Sequence, residues 1–430
     1  MQEQFLPNGM CGCGKRHDTS IKRIILEDNA LERVPEILAL LTDQTKVYLI
    51  GDNNTFGAAG YRLTTILEVA NYRVVPVIIQ GERIKPTPDV IFEIMEQLEQ
   101  DGYLIACGSG SINDLVKFLS DRIKRRYMIV ATAPSMDGYA SPVSALLVGG
   151  IKKTYRVAVP EVIIADLELL AAAPQYLIKA GVGDLLGKIT SLLDWQLGFL
   201  LFDEFFCPRV FAVVEQQLKQ LFLLAENYGE REQASIKNLI KGLIISGQAM
   251  EMVGNSRPAS GCEHHLAHFL EQYSIEFNQP IPTHGLLVGL AVNYTAQLYL
   301  GLSQLDFSGL TISDNKEQRI KNIREIYGNA ADDILTNLAE RWEQEKLSKK
   351  RFLEREDALK TVINNFSQYL KGIGPFIARI GLIEEQGIRN ISRYWLKDGL
   401  NYSFELRPRF TLCTLLSKLG LLETWVDQIL

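Results

Sequence analysis

The sequence predicts an α/β N-terminal domain built on a mostly parallel sheet, followed by an all-α helical C-terminal domain. Three observations carry that expectation. Between Ile21 and about Leu170, short β-branched runs alternate with amphipathic stretches, the order of parallel strands joined by crossover helices. Most of those runs are apolar throughout, as strands covered by helices on both faces must be. After Pro174, apolar residues recur every three or four positions almost to the end, with few β-branched clusters. Residues 1–20 then form an N-terminal extension, 21–175 the α/β domain and 176–430 the helical domain. A chain of 430 residues is long enough for two or three domains.

Taken in order, the predicted strands are Lys22–Leu26, Lys46–Ile50, Val74–Ile79, Tyr103–Cys107, Met128–Ala131 and Val162–Ala165. Helical stretches near Ala58–Ala70 and Pro88–Glu99 lie between them, and a hairpin of Ala145–Val148 and Thr154–Val159 turns around Gly149-Gly150. The most apolar run, Trp195–Phe202, is flanked by Asp194 and Asp203 and is far shorter than the ~20 residues needed to cross a bilayer, so it reads as a buried helix with no membrane insertion. The charge-rich stretch Glu340–Asp357 reads as a solvated helix face.

Composition narrows the function. Hydrophobic residues make up 47% and charged residues 22%, values of an ordinary globular chain. With 45 Lys and Arg against 51 Asp and Glu, the net charge of −6 offers no positive field for a nucleic-acid backbone, which leaves a small molecule as the expected partner. Residues 1–20 lack the apolar core of a secretory leader, and six thinly spread cysteines do not form a disulfide framework, so a cytoplasmic protein with reduced thiols is expected. Cys11, Cys13 and His17 in CGCGKRH are a possible metal cluster, but without a second Cys pair they read as a surface extension or an incidental site.

Two segments of the first half suit an anionic ligand. Residues 107–114 read CGSGSIND, a glycine-rich turn between a strand and a helix starting near Ile112. Such a turn presents backbone N–H groups and a helix N-terminus, and Gly108 and Gly110 permit close approach of a pyrophosphate, with Asp114 at the positive helix end. A tight strand-to-helix turn accounts for the same letters. Asp52 in GDNNT, at a strand end, is placed either to accept from a ribose diol or simply to close a turn. In TAPSMDGYAS, Thr132, Pro134, Ser135, Asp137, Gly138 and Ser141 follow a strand directly, where open α/β sheets bind ligands; a loop capped by its own hydroxyls is the alternative.

The second half carries four of the five histidines, His264, His265, His268 and His284. His264 and His268 are four apart in GCEHHLAHFLE, so both imidazoles lie on one helix face, while His265 points elsewhere. His284, after Pro282, falls at or near the start of another long helix. Asp184 in GVGDLLGK sits among small and apolar neighbours, where an unpartnered carboxylate would be costly. One carboxylate and two imidazoles with an open position suit a Lewis-acid Zn²⁺-type site; packing histidines and a capping Asp are the alternative.

CGSGSIND, TAPSMDGYAS, GVGDLLGK, SRPASGCEHHLAH and PTHG, in this order and spacing, resemble the glycerol-1-phosphate dehydrogenases, in particular their bacterial branch. These stand within the wider group of iron-type alcohol dehydrogenases, glycerol dehydrogenases and dehydroquinate synthases, and the likeness spans roughly residues 20 to 300. The resemblance implies a dehydroquinate synthase-like fold, with a Rossmann-like first domain, a helical second domain and an active site in the cleft between them. It implies that Gly110, Ser111, Ile112, Asn113, Asp114, Thr132, Ala133, Pro134, Ser135 and Ser141 hold NAD(H) or NADP(H), with Asp52 at the adenosine ribose. It also implies one divalent metal, zinc or nickel, on Asp184, His264 and His284, with Asp137, Asp184 and His268 at the substrate. The iron-type alcohol dehydrogenases have a His four residues after the ligand Asp, where this chain has Lys188.

The reaction so implied is the interconversion of dihydroxyacetone phosphate, a phosphorylated triose, and sn-glycerol 1-phosphate, with Asp184 and His268 as the catalytic residues. A substrate phosphate needs cationic donors, for which Arg257 in NSRPASG and Lys188 are the candidates. Asp52 would favour NADH, because a carboxylate repels a 2′-phosphate. The family suggests a homodimer or larger homo-oligomer and a role in glycerophosphate lipids. Rival readings are a glycerol or polyol dehydrogenase of the same fold, a dehydroquinate synthase-like cyclase, and a non-catalytic nucleotide-binding protein.

Overall fold

The computed structural model describes residues 6, 8–81, 83–225, 227–228, 230–313, 315–344 and 346–430, with the backbone alone at 337, 339–341, 343, 344 and 386. They fall into two compact units, Met1–Leu185 with Lys219–Asn255, and Leu186–Leu218 with Ser256–Leu430.

The first unit opens on a short antiparallel pair, β1 (Gly9–Met10) and β2 (Arg16–His17). The central strands are β3 (Arg23–Glu27), β4 (Lys46–Asp52), β5 (Arg73–Ile79), β6 (Tyr103–Gly108) and β7 (Tyr127–Ala131). A hairpin of β8 (Val143–Val148) and β9 (Ile151–Arg156) precedes the last of them, β10 (Val162–Asp166). The sheet order is β3-β10-β7-β6-β4-β5, and every pairing is parallel, as expected. Burial follows from position. β6, β7 and β10 are buried at every residue, whereas the edge strands β3 and β5 mix buried and accessible positions. Pro76 is tolerated in β5 because an edge strand has one side free of ladder bonds. Val34, Ile37, Leu38, Leu63 and Leu67 from two covering helices pack on Val47, Leu49, Ile105, Met128, Val130 and Ile164 of the strands. Each fully buried aliphatic side chain of this kind contributes about 1.5–3 kcal/mol.

Two local findings depart from expectation. The second strand of the hairpin begins at Ile151 rather than Thr154, because Gly149 (φ +60°) and Gly150 (φ +80°) form a two-residue turn of primed type that returns the chain at once. The helix Gln233–Val253, remote in sequence, belongs to the first unit. Gly247 fits it against the loop after β7, where a Cβ would stand 2.8 Å from the Ala140 carbonyl carbon and the Asp137 oxygen.

The second unit is helical among its described residues. The helix Gln175–Phe202 starts in the first unit and runs into the second, carrying the apolar run with Trp195 fully buried. Helices Cys262–Glu276 and His284–Gln304 follow, the latter beginning at His284 as expected. Gln175–Phe202 and His284–Gln304 are long and apolar enough to cross a membrane, but 78% and 72% of their most apolar windows are buried inside the protein. The run Glu340–Asp357 is not one helix face. It is divided among helices Ala331–Gln344, Lys349–Glu354 and Glu356–Asn365, with Glu345 outside the described residues.

Candidate active site

In the first unit the sheet order reverses between β4 and β6, since the chain leaves β4 for β5 on one side and returns to β6 on the other. Ligands of open parallel sheets bind at the carboxyl ends of the strands flanking such a point. Here those ends are Gly51-Asp52 and Cys107-Gly108, and they approach so closely that a Cβ on Gly51 would stand 2.8 Å from the Cys107 carbonyl oxygen. From Gly108 the chain enters the helix Gly110–Ile123, whose N-cap residue Ser109 makes no side-chain capping bond, so its first-turn N–H groups lack that cap. Gly108 and Gly110 are required by packing as well, for a Cβ would meet Ile112 or the Met136 sulfur at 2.5 Å.

Several residues of this region serve the scaffold. The Asn113 amide donates to the Gly138 oxygen at 3.0 Å and accepts from Tyr127 Oη at 3.2 Å. Lys117 Nζ donates to the carbonyls of Gly138 (2.6 Å), Ser141 (3.2 Å) and Val143 (2.9 Å) and faces Asp114 at 3.6 Å. Burial raises the Asp114 carboxyl against the opposing pull of Lys117 and the Ala145 N–H. Asn113 and Lys117 thus hold the Gly138–Val143 end of the loop that follows β7. Asp52 is partly exposed and caps the short helix after β4: its Oδ1 accepts from Thr55 N at 2.8 Å, while its own N–H donates to Thr55 Oγ1 at 2.9 Å.

Asp137 and Asp184 come together. The Asp137 N–H donates to Asp184 Oδ2 at 2.8 Å, and the Asp137 carboxylate accepts from Ser246 Oγ at 2.8 Å. Asp184 is fully buried. Gly181, one turn earlier, lets the helix touch the loop, since a Cβ there would lie 1.8 Å from the Pro134 oxygen.

In the second unit His264, His268 and His284 converge as the spacing predicts. Ring centroids lie 5.3 Å apart for His264–His284, 5.1 Å for His268–His284 and 6.3 Å for His264–His268. His265 is fully buried. Two carboxylates the sequence reading overlooked orient these rings. Glu263 Oε1 accepts from His264 Nδ1 at 2.7 Å; Glu271 accepts from His268 Nδ1 at 2.9 Å and from His284 Nδ1 at 3.0 Å. A carboxylate only accepts, so each Nδ1 carries a proton, which leaves Nε2 as the nitrogen that a ligand would engage. That donor set fits a divalent cation. Burial opposes the Glu263 charge, yet hydrogen bonds from His264, Thr190 and Gly261 outweigh it and hold the carboxyl below its ordinary value.

The cations proposed for a phosphate are committed inside the protein. Lys188, fully buried, donates to the Ala259 oxygen at 3.0 Å. Arg257 donates to the Phe410 oxygen at 2.7 Å and pairs with Glu204. Two further cations were not foreseen. Arg409 donates to the Ser260 oxygen at 2.5 Å and Ser256 Oγ at 2.6 Å, and burial, with Arg257 and Arg407 nearby, pushes its guanidinium down to about 9. Arg407 is likewise lowered by burial, opposed by Glu271. Both are partly exposed.

Comparison with known proteins gives the family and the fold. Residues 25–174 match a family described as iron-containing alcohol dehydrogenase. The chain is 33% identical over 323 residues to a glycerol-1-phosphate dehydrogenase [NAD(P)+] of Bacillus licheniformis, covering 74% of this chain and 79% of that protein. It is 32% identical over 297 residues to the protein of that name from Halalkalibacterium halodurans, covering 67% and 73%. Among solved structures it is similar in fold to a probable glycerol dehydrogenase from Sinorhizobium meliloti, with TM-score 0.59, 14% identity, and coverage of 95% and 98%.

Proposed function

The chain belongs to the glycerol-1-phosphate dehydrogenase family, an NAD(P)-dependent oxidoreductase family, and from that premise we propose that it interconverts dihydroxyacetone phosphate and sn-glycerol 1-phosphate. Asp184, His264 and His284 are the proposed ligands of one divalent metal, zinc or nickel. The observation that carries the reading is the pair of glutamates that give His264 and His284 the ligating tautomer. Asp184, a fully buried carboxylate on the helix Gln175–Phe202, is the third ligand of the proposal.

When bound, the cation supplies Lewis-acid stabilisation of charge on the substrate oxygen, and the nicotinamide supplies the hydride equivalent. The chain's own groups do the rest. The uncapped first turn after Ser109 and the Gly108–Gly110 backbone receive the dinucleotide phosphates. Asp184, fixed by the Asp137 N–H, is held with an orientation that needs no adjustment on binding. His268, its Nδ1–H given to Glu271, presents Nε2 to the substrate as hydrogen-bonding group and proton relay. Arg407 and Arg409 join Arg257 and Lys188 as candidates for the substrate phosphate: burial lowers the proton affinity of both, Arg257 and Arg407 add repulsion at Arg409, and a dianion would relieve it.

A homodimer or larger assembly in the cytoplasm completes the proposal, with NADH favoured by Asp52. The deciding experiment is NADH oxidation by dihydroxyacetone phosphate alongside glycerol oxidation by NAD, with metal content measured in the wild type and in Asp184→Asn and His264→Ala. Preference for glycerol removes the substrate assignment, absence of net NADH consumption points to a cyclase, and unaltered metal content in both folded variants removes the ligand assignment.

A further inference from the structure

We propose a second metal site, distinct in its ligands from the Asp/His/His set, in which Cys11, Cys13 and His17 bind a zinc-class divalent ion that fastens the N-terminal hairpin to the helix Gln233–Val253. The two cysteines and the histidine offer ligand atoms that all lie within 4.8 Å of one another. Cys13 Sγ stands 3.1 Å from His17 Nε2. A tetrahedral ion, with metal–sulfur about 2.3 Å and metal–nitrogen about 2.0–2.1 Å, sets such a pair about 3.5 Å apart, so seating one needs an adjustment of only tenths of an ångström.

The surroundings suit ligation, since one member of the cluster is withdrawn from the surface on which the rest of the turn lies. His17 is buried, at 2% exposure, although it lies near the chain start. Its Nδ1 contacts the Met252 carbonyl oxygen at 2.8 Å. A carbonyl only accepts, so Nδ1 holds the proton and Nε2 points its lone pair at the cysteines, the arrangement that outer partners impose on metal-bound imidazoles. Cys11 and Cys13 lie on the tight turn joining β1 to β2, closed by Cys11 N to Lys15 O (3.0 Å) and Gly14 N to Cys11 O (3.0 Å), with Gly14 at φ +83°. That turn returns the chain so that His17 meets both thiols. The hairpin is aligned on the same helix by Glu251, which accepts from Thr19 Oγ1 at 2.7 Å and Ser20 N at 2.9 Å. The donors are therefore preorganised. Two sulfurs and one imidazole select a borderline-soft ion such as Zn²⁺ over Mg²⁺ or Ca²⁺. Binding exchanges two thiol protons, released to solvent, for two metal–sulfur bonds, with no change of oxidation state.

The test uses the full chain, stripped of metal under reducing conditions and titrated with Co²⁺ as a spectroscopic stand-in and with Zn²⁺ for stoichiometry. The wild type should develop a thiolate-to-cobalt charge-transfer band, which an Asp/His/His site cannot produce. Cys11→Ser with Cys13→Ser should abolish the band and lower zinc content by one equivalent per chain, while His264→Ala keeps the band. Zinc should also slow amide exchange at Cys11 and Gly14 in the wild type, a readout that needs no variant to fold. Absence of the band from the wild type, or band and stoichiometry unchanged in the double serine variant, overturns the proposal.

Discussion

Glu271→Gln tests the view that carboxylates set the tautomers of the histidine cluster. Glu271 accepts from two imidazoles at once, His268 Nδ1 at 2.9 Å and His284 Nδ1 at 3.0 Å. A glutamine of the same shape offers one acceptor oxygen and one NH₂ group, which can only donate. One ring keeps its partner; the other faces donor against donor and must turn over or move its proton to Nε2, the atom needed for ligation. Losing a hydrogen bond to a charged group costs about 1.5–3 kcal/mol. Outer-partner substitutions at metal sites lower metal affinity about 10–100-fold, equivalent to about 1.4–2.7 kcal/mol. The two figures agree, so a loss in metal affinity of that size is expected in chelator competition, with kcat/KM for dihydroxyacetone phosphate falling at least as far at subsaturating metal. Glu271→Asp, a methylene shorter, should hold one ring and lose the other. Wild-type metal affinity in a folded Glu271→Gln protein would refute the role given to Glu271.

Three further outcomes follow from the geometry. Gly181→Ala should destabilise the protein by about 1–3 kcal/mol in urea unfolding and raise KM for NADH, because its Cβ would lie 1.8 Å from the Pro134 oxygen. At Gly57, where a Cβ meets nothing within 4 Å, the same change should stabilise by about 0.5–1 kcal/mol; equal signs at both positions would contradict the packing argument. Asp194 is raised from 3.8 to about 6 by burial and by Glu263, so its contribution to folding is whole below about pH 3.8 and is lost as pH rises through 6. Linkage gives roughly 1.4 kcal/mol of that loss between about pH 5 and pH 8, a slope that Asp194→Asn should lack in paired urea titrations. Asp52→Ser keeps a capping oxygen for Thr55 N but removes the charge, so KM for NADPH should fall with little change in stability; an unmoved NADPH to NADH ratio would take Asp52 away from the ribose.

The legibility of this fold followed from how completely each element was buried. The predicted strands Lys46–Ile50, Tyr103–Cys107 and Val162–Ala165 lie within β4, β6 and β10, each extended by one or two residues, because strands covered on both faces have no polar positions to blur them. The hairpin was misplaced at β9, a strand with no fully buried residue, where only the turn fixes the register. In the histidine cluster, the i,i+4 spacing puts His264 and His268 on one helix face, and their rings lie 6.3 Å apart. Glu271 left a usable signal, three residues after His268 on the same helix face, and Glu263 stood beside His264; both pass for ordinary helix-surface acids unless the polarity of each imidazole is counted. Arg409 left none, since nothing local relates it to a serine loop about 150 residues earlier in the chain.

That separation changes the standing of the C-terminal residues, which lie beyond the roughly 20 to 300 that carry the family likeness. Within the second unit, Arg409 donates to Ser260 and Ser256, Arg257 donates back to the Phe410 oxygen, and the Leu412 N–H donates to Asp194 Oδ1 at 2.7 Å. Asp194 Oδ2 in turn accepts from the Cys262 N–H at 2.7 Å, at the start of the helix that carries His264 and His268. The tail thus reaches the histidines through two hydrogen bonds on one carboxylate. A buried carboxylate raised toward neutrality tolerates the loss of a donor poorly, because each N–H removed leaves charge uncompensated where water does not reach. Residues 407–412 therefore act on the helix that carries His264 and His268 from a distance, and shortening the chain before Arg407 should disturb the histidine geometry even though every proposed ligand remains.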